Sequence, residues 1–329
     1  MSASPSPQPP NLTGVNAPVP IPVQMPLKIC IQPTAGEVIT SLRTGVSYTI
    51  GAKLGEGHFG IVYACTDGWE NELAVKVLKP IGSYEKVKAS AEAEFLKLLA
   101  FRHPNITYIF DAFEFRDTFY IITERCAGPV GTVLGLPNFN AAALVMPIAR
   151  CLLQGLHFLH TNGIVHQDIH AGNVFASVVK DELQRPSDTL HFKLGDLGIA
   201  KLLSEVGVHN TRALWMQPPE FHNPVEFGPM DHRIDIYHVG LLLLQLALSR
   251  PLVFTEADIL AGKPREAALA LPPPLNFALE KALRRHAAVR TPSAMELWRD
   301  LHSMAGTAQP TAALNLNLPP PSPPPPSNL

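Results

Sequence analysis

Asp168 lies two residues after His166 and five before Asn173, inside the stretch G-I-V-H-Q-D-I-H-A-G-N-V-F from Gly163 to Phe175. A carboxylate in a polar loop can take a proton from a hydroxyl nucleophile, and a side-chain amide oxygen beside it can ligate a hard cation. Twenty-three residues beyond Asn173, in K-L-G-D-L-G, Asp196 offers a second hard oxygen ligand, with Gly198 two residues after it. The three residues suit a magnesium ion and a nucleoside triphosphate. A His and an Asp in a turn also describe an ordinary structural pair, so the loop alone leaves both readings open.

Partners elsewhere in the chain bear on that choice. G-E-G-H-F-G, Gly55 to Gly60, puts glycines where backbone amides can approach phosphate oxygens without side chains intervening. The loop is followed by strand-like sequence, not a helix, which disfavours a dinucleotide fold and favours a hairpin lid over phosphates. Lys76, in A-V-K, is flanked by apolar residues, and an inward-pointing lysine there needs an anion to offset its desolvation. Glu92 and Glu94, in a helix-like run from Tyr84 to Leu99, are both candidates; a strand lysine that snorkels to solvent is the structural alternative.

The elements that must position these residues follow from pattern. Tyr48 to Leu78 reads as three strands, Y-T-I-G-A-K-L, I-V-Y-A-C-T and E-L-A-V-K-V-L, and Asn105 to Glu124 supplies two more. The helix-like run ends at R-H-P-N-I, where Pro104 breaks it. Gly128, Gly131, Gly135 and Pro137 mark a hinge, and a helix is predicted from about Ala141 to Thr161. W-M-Q-P-P-E and D-H-R-I-D-I-Y-H-V-G then precede helical runs reaching to about Met304. A β-rich first third and an α-rich remainder predict an α+β protein of two lobes around a cleft.

Composition narrows the class. The 329 residues carry a net charge of -2 and a pI of about 6.7, which gives no bulk electrostatic case for nucleic acid or anionic membrane. Cys30, Cys65, Cys126 and Cys151 lack C-x-x-C spacing, which argues against a zinc site or a disulfide framework and for reduced thiols in a cytoplasmic setting. The N-terminus lacks the basic and apolar regions of a signal peptide. The most apolar run, Val239 to Leu248, is about half of what a bilayer requires and reads as a core helix, so no membrane span is expected. About half of the 33 prolines fall in residues 1–26 and 307–329, both expected to be disordered or polyproline-like tails. Their P-x-x-P runs could dock an SH3-like or WW-like partner; a solvated tail is the alternative.

With these residues in line, the chain resembles the eukaryotic-type protein kinases over almost all of Tyr48 to Met304. The match is carried by L-G-E-G-H-F-G-I-V, A-V-K, H-Q-D-I-H-A-G-N, D-L-G, P-P-E, D-I-Y-H-V-G and R-T-P-S-A, in that order. The resemblance implies a bilobal kinase fold over residues 27–306, with a small β-rich N-lobe containing one main helix to about 124, a hinge at about 125–131 and a larger helical C-lobe beyond. It implies ATP and Mg2+ as cofactors, protein substrates, and transfer of the γ-phosphoryl group to Ser/Thr hydroxyls. Gly55, Gly57 and Gly60 would cover the phosphates, with Glu56 among them, and Lys76 would hold the α- and β-phosphates. Glu94, not Glu92, would be its partner, because it stands nine positions before His103, which matches the family's spacing into H-P-N-I. Asp168 would orient the hydroxyl, and Asn173 and Asp196 would hold the metal ions. Leu54, Val62, Ala74 and Phe175 would sandwich the adenine, with Thr123 as gatekeeper and Glu124 to Cys126 meeting its edge. Glu220 and Arg290 would form a buried pair, Asp235 would cap the catalytic loop, and Leu98, Ile109, His166 and Leu197 would stack as a spine.

The chain also departs from that family. Gln167 stands where most members have a phosphate-reading arginine, and a neutral amide cannot clamp a phosphate bidentately. This predicts activity independent of phosphorylation at Thr211 or Ser204. His170 and Ala213 replace a lysine and a threonine that bond the catalytic Asp, which predicts slower transfer. Gly172 stands where some members use glutamate to read a basic substrate residue. D-I-H-x-G-N is similar to the loop of small-molecule kinases for aminoglycosides or choline. Two alternatives therefore accompany the kinase reading: a pseudokinase scaffold and a small-molecule phosphotransferase.

Overall fold

Alternating apolar residues build the first lobe. The computed structural model describes residues 31–57, 60–79, 95, 99, 102–132, 134, 140–179, 189–197, 201–202, 206 and 216–302. Both proline-rich tails, Glu92, Glu94, Leu98, Gly198, Ser204, Thr211 and Ala213 lie outside them. Strands β1 (Val38–Thr40), β2 (Ser47–Glu56), β3 (Gly60–Asp67), β4 (Glu72–Leu78), β5 (Ile109–Phe115) and β6 (Thr118–Glu124) form one sheet in the order β1-β2-β3-β4-β6-β5. Its buried face is β-branched and aromatic, with Ile50, Ile61, Val75, Val77, Tyr120 and Ile122 packed together. Tyr48 to Leu78 makes three strands, as expected. β1 was not anticipated, because three residues are too few to display a period.

A short strand, β7 (Gly128–Pro129), lies within the expected hinge, and the second lobe is organised on two helices. Helix α1 spans Val145–Thr161 and is preceded by a 3₁₀ turn at Ala141–Leu144. Pro147 explains the break in the single helix expected from Ala141. It has no N–H for an α-helical bond, and its ring would strike the carbonyl four residues back, so the regular helix can begin only where Pro147 falls in the first turn. By length and composition Ala141–Thr161 could cross a membrane, and it is the one such helix among the described residues. Here Ile148, Leu152, Leu153, Leu156 and Leu159 bury its apolar face in the core. Gly155 lets it press against the 105 loop, where a Cβ would sit 2.9 Å from the Asn105 carbonyl oxygen.

Beyond α1 come β8 (Ile164–Val165), β9 (Val174–Val179), β10 (Thr189–Leu194) and β11 (Lys201–Leu202). β7, β9 and β10 form one small sheet, and β8 pairs with β11. Short helices α2 (Pro219–His222) and α3 (Pro224–Phe227) lead to α4 (Arg233–Ala247), which is buried at every residue from Ile234 to Leu246. A helix apolar on all sides belongs in a core, and α4 fills that place as the 239–248 run predicts. Helices α5 (Glu256–Ala261), α6 (Lys263–Leu269), α7 (Leu275–Ala282) and α8 (Ala294–His302) pack around it.

Candidate active site

The stretch from His166 to Asn173 is held from beneath by one carboxylate. Asp235, fully buried at the start of α4, accepts the N–H groups of His166 and Gln167 at 2.9 and 2.7 Å and contacts His160 Nε2 at 2.8 Å. Burial pushes the Asp235 carboxyl up, but the His160 hydrogen bond, the His160 and His166 charges and the Gln167 amide outweigh it and hold it below the ordinary range. With that support Gln167 adopts φ +69°, a left-handed conformation costly for a side chain of its type. His166 is fully buried: its Nδ1 accepts from the Asp168 N–H, leaving Nε2 to donate to the Gly195 carbonyl at 3.1 Å. It is a packing and bridging residue that ties the loop to the segment bearing Asp196.

Asn173 closes the loop on itself. Its Nδ2 donates to both the Asp168 carbonyl and Asp168 Oδ2, each at 2.9 Å, so its Oδ1 is the atom left for a cation. His170 approaches Asp168 from the other side, with Nε2 at 3.6 Å from Oδ2. Its Nδ1 accepts the Gly172 N–H at 3.0 Å, which sets the neutral ring with the proton on Nε2, facing the carboxylate. Gly172 leaves room for that ring, since a Cβ would lie 2.8 Å from His170 Cε1 and would push it aside. Burial raises the Asp168 carboxyl, yet the His170 hydrogen bond, with the positive charge that His170, His166 and His238 carry when protonated, holds it below the usual carboxylate range. Asp168 is thus an ionised acceptor at neutral pH.

Across the cleft, Lys76 projects from β4 between Val62 of β3 and Ile121 of β6, and its Nζ forms an ion pair with Asp196 Oδ1. This pair spans the two lobes and places the strand lysine beside the expected metal ligand. Asp196 itself has φ +55°, so a second strained residue sits at the same place. Gly195 is needed before it, because a Cβ would stand 2.5 Å from the Phe175 ring.

The remaining expected residues fall on β2, β3, β4, β6 and β9, in the loop between β2 and β3, and at the hinge. Cβ atoms added at Gly55 and Gly57 would meet nothing closer than 4.0 Å, so the backbone there faces open room of the kind phosphate needs. Gly60 serves another purpose: its Cβ would lie 2.7 Å from the Val77 carbonyl, so β4 requires it. The Glu56 side chain pairs with Lys53 and Lys79 at 2.5 and 2.6 Å, which leaves its backbone to the loop; those two bonds lower its carboxyl to about 2. Ala74 is buried opposite Thr123; Val62, opposite Lys76, and Phe175, opposite Pro129 and Lys193, are half-buried, while Leu54 is exposed. At the hinge the Glu124 N–H bonds the Tyr108 carbonyl at 3.0 Å, and its carboxylate pairs with Lys193 at 2.7 Å. Ala127 N–H bonds Ala176 O at 2.8 Å; Cys126 N–H bonds no backbone acceptor among the described residues. Burial pushes the Cys126 thiol up to about 12, so it is not a nucleophile.

Sequence reasoning did not single out His238 as a buried group. Its Nδ1 has no partner, and desolvation lowers its pKa to about 4. Asp168, His170, Met216, Gln217, His238 and Gln245 border a cavity of about 10 Å3, room for one water. Farther down, Glu220 and Arg290 form the buried bidentate pair expected of them, at 2.5 and 2.7 Å.

A protein kinase domain model matches residues 48–305. This chain belongs to the protein kinase domain family. The kinase domain is 30% identical over 195 residues to the probable serine/threonine-protein kinase zyg-1 of Caenorhabditis briggsae, covering 58% of this chain and 25% of that protein. It is 29% identical over 207 residues to serine/threonine-protein kinase TAO3 of Mus musculus, covering 61% and 22%. The chain thus spans about a quarter of the length of these relatives. Its fold is similar to the PknI kinase domain of Mycobacterium tuberculosis, with a TM-score of 0.59, 21% identity, and coverage of 84% of this chain and 100% of that one. The bilobal α+β kinase fold is therefore established.

The residues fit the nucleotide and metal that the family uses. Among the described residues no group of three His, Cys, Asp or Glu side chains could hold a metal alone. A cation at Asn173 Oδ1 and Asp196 would complete its shell with phosphate oxygens and water, as magnesium does beside a triphosphate.

Proposed function

We propose that this chain is an ATP-dependent protein kinase that transfers the γ-phosphoryl group of MgATP to Ser or Thr hydroxyls of proteins. The observation that carries the reading is the convergence of Lys76, Asp196, Asn173 and Asp168 on one cleft, with Asp168 ionised and oriented by Asn173. Magnesium, when bound, supplies charge neutralisation across the phosphate oxygens. Lys76 holds the nonreacting phosphates, and the backbone of Gly55 and Gly57 covers them. Ala74 and Val62 form the apolar roof and Phe175 the floor for the base, and the free Cys126 N–H meets its edge.

Asp168 holds the acceptor hydroxyl in line and receives its proton. The hydroxyl oxygen forms a bond to the γ-phosphorus while the bond from that phosphorus to the β–γ bridging oxygen breaks, and its electron pair leaves with ADP. His170, a neutral donor in place of a cation, offers less charge to the transferring group than a lysine does, which supports a slow enzyme. Names of the similar proteins support Ser/Thr as the acceptor class.

Incubating the purified full chain with labelled ATP and magnesium, with Asp168→Asn as control, tests the reading. Label on the chain itself or on a generic basic protein is expected and is lost in the control. Label only on small hydroxylated compounds, or none, overturns it.

A further inference from the structure

Positive charge in the C-lobe is gathered around one hollow. Arg265 on α6, with Arg284, Arg285, His286 and Val289 in the segment between α7 and α8, lines a depression of about 300 Å3. None of these residues belongs to the cleft marked by Lys76 and Asp196. The chain as a whole carries a net charge of -2, so three guanidiniums around one hollow run against the balance of the molecule.

The arginines are held in place before any ligand arrives. Glu280 on α7 accepts Arg265 Nε at 2.7 Å, and Arg284 Nε and Nη2 at 3.1 Å each. Burial raises the Glu280 carboxyl, but the hydrogen bonds and charges of Arg284 and Arg265 outweigh it and hold it below the usual range. Arg284 Nη1 also donates to the Val289 carbonyl at 3.1 Å. Arg285 Nη1 donates to the Leu260 carbonyl at 2.9 Å, and its guanidinium lies 5.7 Å from the Phe227 ring centroid. Its stem passes close to Gly262, where a Cβ would stand 3.3 Å from Arg285 Cδ. The backbone is pinned as well, because Arg290 donates to the Arg284 and Arg285 carbonyls at 3.0 and 3.2 Å. Side chains fixed in this way lose little freedom when an anion docks on their remaining N–H groups.

Charge and size select the anion. Glu280 cancels one of the three guanidinium charges, and two remain. A side-chain carboxylate brings one negative charge, whereas a phosphomonoester brings about 1.5 to 2 at pH 7, with three acceptor oxygens for several forks. The hollow, at about 300 Å3, also dwarfs the one-water cavity of about 10 Å3 beside Asp168, so a phosphorylated side chain can enter with its neighbours. Val289, which lines it and is 55% exposed, offers those neighbours an apolar contact.

We infer that this hollow binds a phosphorylated segment of a protein, with Arg285, Arg284 and Arg265 holding a phosphoserine or phosphothreonine phosphate and Val289 meeting the residues beside it. Binding here is separate from phosphoryl transfer and does not rest on that reading.

The test passes a peptide library randomised around a fixed phosphoserine over the immobilised full chain, beside matched libraries with serine or glutamate at that position. Magnesium and a non-hydrolysable ATP analogue are present throughout to occupy the cleft. The phosphoserine library is expected to be retained at least about tenfold over either of the others and to be displaced by inorganic phosphate at constant ionic strength. Arg285→Gln is expected to lower that retention by at least about tenfold, and Arg285→Lys to recover part of it, since lysine keeps the charge without the fork. His286→Glu, at an exposed position, sets a carboxylate in the hollow without removing an anchor and should abolish retention with melting within a few degrees of wild type. Arg250→Gln, at an exposed arginine outside the hollow, should leave retention unchanged. Equal retention of the three libraries, or full retention in Arg285→Gln and His286→Glu, overturns the inference. Inorganic phosphate bound as tightly as the retained peptides overturns the choice of a protein segment. No turnover is read, so a wild-type chain without phosphoryl transfer sinks the kinase reading and leaves this result standing.

Discussion

Removing the Arg290 side chain should be among the most damaging single changes in the C-lobe. Arg290 is 2% exposed, and all its donors are used. Nη1 and Nη2 bond the two Glu220 oxygens, Nε bonds the Arg284 carbonyl at 3.0 Å, and Nη1 and Nη2 also reach the Arg233 and Arg285 carbonyls at 3.0 and 3.2 Å. The guanidinium also lies 4.9 Å from the Tyr237 ring centroid. Arg290→Ala strands the fully buried Glu220 carboxylate, at a cost of about 3–5 kcal/mol. Against a total stability of ~5–15 kcal/mol that is a large share. It corresponds to a melting temperature lower by roughly 6–20 °C, at about 2–4 °C per kcal/mol for a large domain. Arg290→Lys keeps a charge but loses the fork and should fall in between. The double variant Glu220→Leu/Arg290→Met removes both charges and should lose less than Arg290→Ala. Urea denaturation followed by tryptophan fluorescence measures all three. A loss under about 1 kcal/mol in Arg290→Ala, or a double variant no more stable than the single, would refute the assignment of that energy to an unpaired buried charge.

Four further outcomes follow from the same geometry. Gly172→Ala forces the His170 ring off its backbone bond and should reduce kcat as much as His170→Ala does while changing melting by only a few degrees; wild-type kcat would be incompatible with a ring held by Gly172. Lys76→Met should reduce turnover by at least about 100-fold, or ~2.7 kcal/mol of barrier, measured by ATP consumption. His238 is neutral when folded, with its pKa near 4 against 6.5 ordinarily, whereas the unfolded chain takes up a proton below about 6.5. Stability contributed by this difference is therefore full above pH 6.5 and falls as pH drops toward 4, by up to about 3 kcal/mol. The Asp235 and Asp168 charges oppose the shift, and the His170 and His166 charges add to it. His238→Gln should flatten that slope in urea titrations at pH 7.5 and 5. Finally, Gln167 is 1% exposed and its neutral amide cannot clamp a phosphate as a guanidinium does; Ser204→Ala/Thr211→Ala should retain turnover, and a fall beyond about tenfold, ~1.4 kcal/mol, would contradict this.

What could be read from the chain was what is local. Asp168, Asn173, Gly55, Gly57 and Lys76 sit in short motifs in which residue type and spacing already imply chemistry, and the strands around them alternate regularly enough to be placed. The core helix α4 was equally plain, because an apolar run too short for a bilayer has few other uses. The resemblance to a family then ordered these motifs into lobes.

Tertiary structure alone decided the rest, because it depends on contacts between residues remote in sequence. Lys76 meets Asp196 across 120 positions and Arg43 meets Asp111 across 68, and no periodicity encodes such distances. Gly60 and Gly172 look like loop glycines on paper, yet one is required by a neighbouring strand and the other leaves room for a histidine ring. His238 reads as one polar residue in an apolar helix until the fold buries it beside Asp168, at a cavity with room for one water. Side-chain chemistry is written in the order of residues, whereas the desolvation, countercharges and steric exclusions that tune it arise only when distant segments pack together.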